Sequence, residues 1–142
     1  AEALSVRQRV DEFLGDGREV VVMGDINDGP GFDFYEFMFG KSGVELIMGD
    51  FFEPDRILRN YVGRPKMNDF GFTPSSARFR DSFTGDFVNV LIDHILASPG
   101  LPTQGAAAHI VWNPFQADEA RPLRETLLAA SDHFPVTLDL DL

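Results

Sequence analysis

The chain has 142 residues, 44% of them hydrophobic, with 23 acidic against 12 basic side chains and a formal charge of −11. That length supports one domain that buries roughly two-thirds of its unfolded surface. No apolar run reaches the ~18–20 residues of a membrane span, and the absence of cysteine excludes disulfides, thiolate catalysis and cysteine zinc sites.

From the N-terminus, Ala3, Val6, Val10, Phe13 and Leu14 recur at helical spacing until Gly15-Asp16-Gly17, which predicts a helix over residues 1–14. Residues 19–23, with Val20-Val21-Val22, predict a short strand buried on both faces. Asp28-Gly29-Pro30-Gly31 is a loop. Residues 34–39 follow as a short aromatic-rich helix and residues 43–52 as a strand and turn. The many phenylalanines between Phe32 and Phe52 read as core. Residues 53–76 carry few periodic apolar positions and are broken by Pro54, Gly63, Pro65, Gly71 and Pro74, the pattern of a long functional loop. Residues 87–97 are the next strand, ended by Ser98-Pro99-Gly100, and residues 107–112 another. Residues 117–130 have helical composition, in which Pro122 is tolerable only near the first turn. Residues 136–142 alternate apolar and polar, so the last strand has one buried and one wet face.

Three short segments carry chemistry. Gly24-Asp25-Ile26-Asn27 ends a buried strand with a carboxylate; in an extended chain residues i and i+2 point the same way, so Asp25 and Asn27 can address one target. The alternative is an Asx-type turn in which these side chains bond their own backbone. In Ile92-Asp93-His94-Ile95, alternation sends Asp93 and His94 to opposite faces. An aspartate in so apolar a run is costly unless paired, and His94 reads as structural. In Ser131-Asp132-His133-Phe134-Pro135, a histidine held by a carboxylate would have its tautomer fixed and its charged form stabilised. As oxygen donors, the side chains of Asp25, Asn27 and Asp132 would suit a hard cation such as magnesium or manganese over zinc.

Charge is unevenly spread. Between Arg56 and Arg80 stand Arg56, Arg59, Arg64, Lys66, Arg78 and Arg80 against Asp69 alone. So acidic a chain has no global attraction to nucleic acid or an anionic membrane, and its phosphate affinity has to be local. The arginines of this window either bind phosphates, with Tyr61, Phe70, Phe72 and Phe79 stacking on bases, or neutralise the chain's own carboxylates.

In that order, each at the end of a strand-like run, the three segments resemble the endonuclease/exonuclease/phosphatase superfamily, the deoxyribonuclease-I-like fold. The resemblance implies an α/β sandwich of two mainly antiparallel sheets with flanking helices, of which residues 1–142 would be the C-terminal part. The family's first metal-binding glutamate, an early asparagine and a catalytic histidine or tyrosine would then precede Ala1. It implies hydrolysis of phosphodiesters or phosphomonoesters by in-line attack of water, assisted by Mg²⁺ or Mn²⁺. Asp25 would orient or deprotonate the water, and Asn27 would hold it or a phosphoryl oxygen. Asp93 would pair with His133, and Asp132 would serve the metal or its bound water. Arg64, Lys66, Arg78 and Arg80 would fall where family members contact substrate, with nucleic acid among the candidates.

The competing expectation is a non-catalytic binding or structural piece that lacks the first metal ligand. On either reading the chain by itself is expected to be inactive. One sheet face lined by Phe and Val would be left for the missing segment or a second copy to cover. Motifs alone do not choose among DNA, RNA, sugar or inositol phosphates and phospholipids, nor fix a compartment.

Overall fold

The computed structural model describes residues 2–28, 40–61, 74–102 and 109–141. In chain order these form α1 (Glu2–Gly15), β1 (Val21–Asp25), α2 (Gly43–Met48), β2 (Arg59–Asn60), β3 (Ala77–Arg80), β4 (Phe87–Val90) and β5 (Asp93–Ala97). They are followed by β6 (His109–Val111), a 3₁₀ turn (Asp118–Leu123), α3 (Arg124–Ala130) and β7 (Val136–Leu138). Every ladder is antiparallel: β1–β5–β2, β3–β4 and β6–β7. This mixture of helices and antiparallel sheets is consistent with an α/β sandwich. No helix among the described residues is long and apolar enough to cross a membrane.

The main core lies between the helices and the three-stranded sheet. Val10 of α1 packs with Val20, Val44, Ile47, Leu58 and Leu96, and Ala3, Val6, Phe13 and Leu14 complete the apolar stripe of α1. Arg7 projects from the same helix to donate to the carbonyls of Ile47 and Met48, satisfying acceptors that the end of a helix leaves open. Leu96 is fully buried, so Leu96→Ala is expected to cost about 2–5 kcal/mol, measurable as a lowered urea midpoint with an unchanged slope.

Several elements depart from the sequence expectation. Residues 43–48 are helical because Ser42 and Glu45 form a reciprocal capping box, which outweighs the strand preference of Val44 and Ile47. β1 begins at Val21 and runs on through Gly24 and Asp25, since β5 offers partners for both. It is not buried on both faces: Val21 and Met23 are exposed. Phe51 and Phe52 are solvent-exposed rather than core. The expected helix over residues 117–130 is divided, with Pro122 placed in the 3₁₀ turn ahead of α3, where its missing N–H does least harm. The expected loop at Gly29–Gly31 and the helix at residues 34–39 lie outside the described residues.

The expected strand over residues 87–97 is two strands in different sheets. β4 pairs with β3 through a turn closed by the Asp81 carboxylate, which accepts from the N–H groups of Phe83 and Thr84. β5 pairs with β1 and β2. Between them the fully buried Ser76 hydroxyl accepts from the N–H of Ile92 at 3.1 Å and of Asp93 at 2.9 Å, replacing ladder bonds lost at the crossing. Strand β7 keeps the alternation read from the sequence, with Val136, Leu138 and Leu140 half-buried and Thr137 and Asp139 exposed.

Candidate active site

Strand register places the first two acidic groups. In the β1–β5 ladder Asp25 stands directly opposite Asp93, one pair beyond Gly24 and His94. Like charges directly opposed on a sheet are destabilising, on the order of 1–3 kcal/mol at this separation. The third member meets them from the far end of the chain. His133 Nδ1 lies 3.0 Å from Asp93 Oδ2 and 3.3 Å from Oδ1. Ligand atoms of Asp25, Asp93 and His133 all fall within 4.8 Å of one another.

His133 is delivered by backbone bonds. An isolated bridge joins it to Ala77, the N–H of Phe134 donates to the Ser76 carbonyl at 2.7 Å, and Arg78 N–H donates to the Asp132 carbonyl at 2.8 Å. Ser76 therefore ties both halves of the histidine–aspartate pair, its hydroxyl gripping Asp93 and its carbonyl the segment after His133. Nothing local in Ser75-Ser76-Ala77 announces that role, because each bond spans many residues. Replacing this hydroxyl leaves two buried N–H groups unpaired, so Ser76→Ala is expected to cost about 1–3 kcal/mol. Chemical denaturation measures the loss, and the conservative Ser76→Thr is expected to fare no better for want of space beside a fully buried side chain.

The remaining residues are arranged differently. Asn27 does not continue the strand: its φ is 53° and its N–H donates to Asp25 Oδ1 at 2.8 Å. The Asx-type turn is thus realised, and it aims the Asp25 carboxylate instead of aligning two side chains along an extended chain. Asp132 is exposed and outside the close cluster, with Ser131 Oγ 3.4 Å from its Oδ1. His94 is buried on the opposite face from Asp93, Nδ1 3.2 Å from Asn60 Nδ2 and Nε2 3.2 Å from the Asp28 carbonyl. Burial pushes its pKa below the ordinary value, consistent with a neutral, structural ring. A cleft of ≈ 430 Å³ opens beside the cluster, bounded by Asp93 and His133 at its polar end and by Met23, Ile95, Leu127 and Val136 elsewhere.

With this geometry in place, the comparison with known families is decisive. A model of the endonuclease/exonuclease/phosphatase family matches residues 2–133. The chain belongs to the endonuclease/exonuclease/phosphatase family. No curated protein and no solved structure gives a significant match. Members of this family are typically hydrolases of phosphate esters and generally depend on a divalent metal.

The arginines of the basic window make different contacts. Arg56 neutralises the chain's own acids, pairing with Asp11 at 3.1 Å and reaching Glu53. Arg78 and Arg80 instead stack on Phe87, at 4.3 and 5.5 Å from its centroid. Arg64 and Lys66 lie outside the described residues.

Electrostatics set the charge state of His133. The hydrogen bond that His133 donates to Asp93 raises its pKa above the ordinary 6.5; burial opposes this, while the charges of Asp93, Asp25 and Asp132 add to it. Because the folded value exceeds the unfolded one, the pair's contribution to stability is complete below pH 6.5 and is lost as pH rises through the folded value. In the presence of chelator, NMR titration of His133 is expected to give a midpoint above 6.5. Asp93→Asn should bring that midpoint down, and an unmoved midpoint would contradict the pairing.

Proposed function

We propose that the protein is a metal-dependent phosphoesterase that hydrolyses phosphate esters by in-line attack of water at the Asp25–Asp93–His133 cluster. The observation that carries this reading is the opposed carboxylate pair with an imidazole bonded to Asp93, beside a cleft that Asp93 and His133 line, in a chain of this family. A divalent cation fits the donor set, since two facing carboxylates without a lysine or arginine salt bridge among the described residues call for positive charge, and oxygen donors favour Mg²⁺ or Mn²⁺. Asp25 and Asn27 are the proposed holders, with Asp132 serving the ion or its water. When bound, the cation supplies Lewis-acid polarisation of the phosphoryl group.

The side chains do the rest. Asp25, its carboxylate steadied by the Asn27 N–H, orients the water and accepts its proton. Asn27 offers its side-chain amide to the water or to a phosphoryl oxygen. Asp93 takes the Nδ1 proton of His133 in a hydrogen bond, which leaves Nε2 as the atom free to meet the substrate. Protonated there, the ring donates to a phosphoryl oxygen and offsets charge that grows in the transition state. Arg78 and Arg80, on the strand that holds Asp132, are the proposed contacts to substrate phosphate.

Turnover of bis(p-nitrophenyl) phosphate by the protein as its gene encodes it tests the proposal. Activity is expected with Mg²⁺ or Mn²⁺, to vanish with chelator, and to fall about 10²–10³-fold in His133→Ala or Asp25→Ala. Full turnover in either variant, or in excess chelator, would refute the assigned roles.

A further inference from the structure

His94 is 3% exposed and shares its face of β5 with the fully buried Leu96. An apolar side chain would continue the core there, and a polar ring is tolerated only with its nitrogens bonded. Both are bonded. The Asn60 side-chain amide donates to Nδ1 at 3.2 Å, and Nε2–H donates to the Asp28 carbonyl at 3.2 Å. The ring is thus the neutral Nε2–H tautomer, an acceptor toward β2 and a donor toward the loop that follows β1.

The loop that receives this bond is the one that carries Asn27. Gly24 has φ 146° and Asn27 φ 53°, so the chain leaves β1 through two residues of unusual backbone conformation. A residue other than glycine persists in the left-handed region where its surroundings fix the chain on either side. Before Asn27 the fixing bond runs from the Ile26 N–H to the Ile92 carbonyl at 2.8 Å. After it, Asp28 is held twice. Its carbonyl accepts from His94, and its carboxylate accepts the Val44 N–H of α2 at 3.0 Å. Gly43 makes room for that carboxylate, since a Cβ there would stand 2.6 Å from Oδ2.

Asn27 therefore sits in a turn pinned at both ends, with its own N–H donating to Asp25 Oδ1 at 2.8 Å. Were the Asp28 carbonyl released, the peptide between residues 27 and 28 would be free to turn. Asn27 would then relax toward the extended region that most residues prefer. That movement breaks the bond to Asp25 and swings the Asn27 amide away from the cluster.

We infer that His94 is a positioning residue for the reaction: held from behind by Asn60, its Nε2–H clamps the Asp28 carbonyl and keeps Asn27 aimed at the Asp25 side of the cluster. This rests on the phosphoesterase reading and adds to it a group that never meets substrate. Asp93 and His94 leave β5 by opposite faces. One holds His133 and the other holds the turn of Asn27, so a single step along the strand aligns both halves of the site. Misplacing a positioning group by about 1 Å costs on the order of 10²-fold in rate, and losing the outer partner of a site residue about 10–100-fold.

His94→Met, His94→Gln and Asn60→Ala, each in the protein as its gene encodes it, test the inference. Methionine fills the space and donates nothing, whereas glutamine can place an amide N–H where Nε2 stands. In His94→Met, kcat for bis(p-nitrophenyl) phosphate with Mg²⁺ is expected to fall about 10–100-fold with KM little changed. The backbone and side-chain amide NMR signals of Asn27, read in chelator, are expected to move, while the His133 titration midpoint stays at its parent value. His94→Gln is expected to restore the Asn27 signals and most of the turnover, which a role in packing alone would not give. Unaltered Asn27 signals or unaltered kcat in His94→Met would overturn the inference, as would a glutamine variant no better than methionine. If substitution at residue 94 prevents folding, Asn60→Ala decides, because it keeps the imidazole and only loosens it; unaltered Asn27 signals there would overturn the inference as well. A parent protein that hydrolyses nothing defeats the phosphoesterase reading, and the Asn27 signals still decide whether His94 holds the turn.

Discussion

The pairing of β1 with β5 is the constraint on which the rest of the site depends. Antiparallel register sets Asp25 against Asp93, and the sheet has no freedom to separate them without slipping. A slip of one residue would turn both side chains to the other face and move His94 out of its buried position. The core contacts of Leu96 and Val20 hold that register. Packing far from the site thus maintains an electrostatic conflict that the site requires. Positive charge resolves the conflict, partly through the raised basicity of His133 and, on the proposed function, through a divalent cation as well.

Bringing His133 to this pair demands that the chain change sheets twice. Ile92 and Asp93 leave the β3–β4 ladder for the β1–β5 ladder, and residues 132–134 return to lie beside β3. Ser76 stands at both crossings, accepting from Ile92 and Asp93 with its hydroxyl, accepting from Phe134 with its carbonyl and donating to the Val90 carbonyl. A short polar side chain suits the position because strand crossings leave N–H groups without ladder partners. Asp93 is consequently fixed at both ends, by its backbone N–H on Ser76 and by its carboxylate on His133.

Much of this was legible in the sequence where one local pattern decided the outcome. Helix α1 follows from its apolar spacing and the Gly15–Gly17 stop, and β7 from strict alternation. Helix α2 was missed because Val44 and Ile47 suggest a strand; the signal that overrides them, Ser42 followed three residues later by Glu45, was present and is stronger than propensity in so short a segment. The break between β4 and β5 was invisible, since residues 87–97 are apolar apart from Asn89, Asp93 and His94 and only a distant serine divides them. Asp25, Asp93 and His133 stood out as polar groups at strand ends. The Asx-type turn at Asn27 was legible only as an alternative to an extended chain, and the stacking of Arg78 on the distant Phe115 was not legible at all, because it leaves no periodic trace.

The central claim is that Asp25 and Asp93 repel one another in the folded chain and that a cation relieves them. Urea unfolding of the wild type and Asp25→Asn, each with chelator and with Mg²⁺ at neutral pH, measures this most directly. The account predicts that Asp25→Asn is the more stable protein in chelator, because its amide oxygen can still accept the Asn27 N–H without opposing Asp93. Mg²⁺ should then raise the midpoint of the wild type alone. A less stable Asp25→Asn in chelator, or an equal Mg²⁺ response in both proteins, would contradict it.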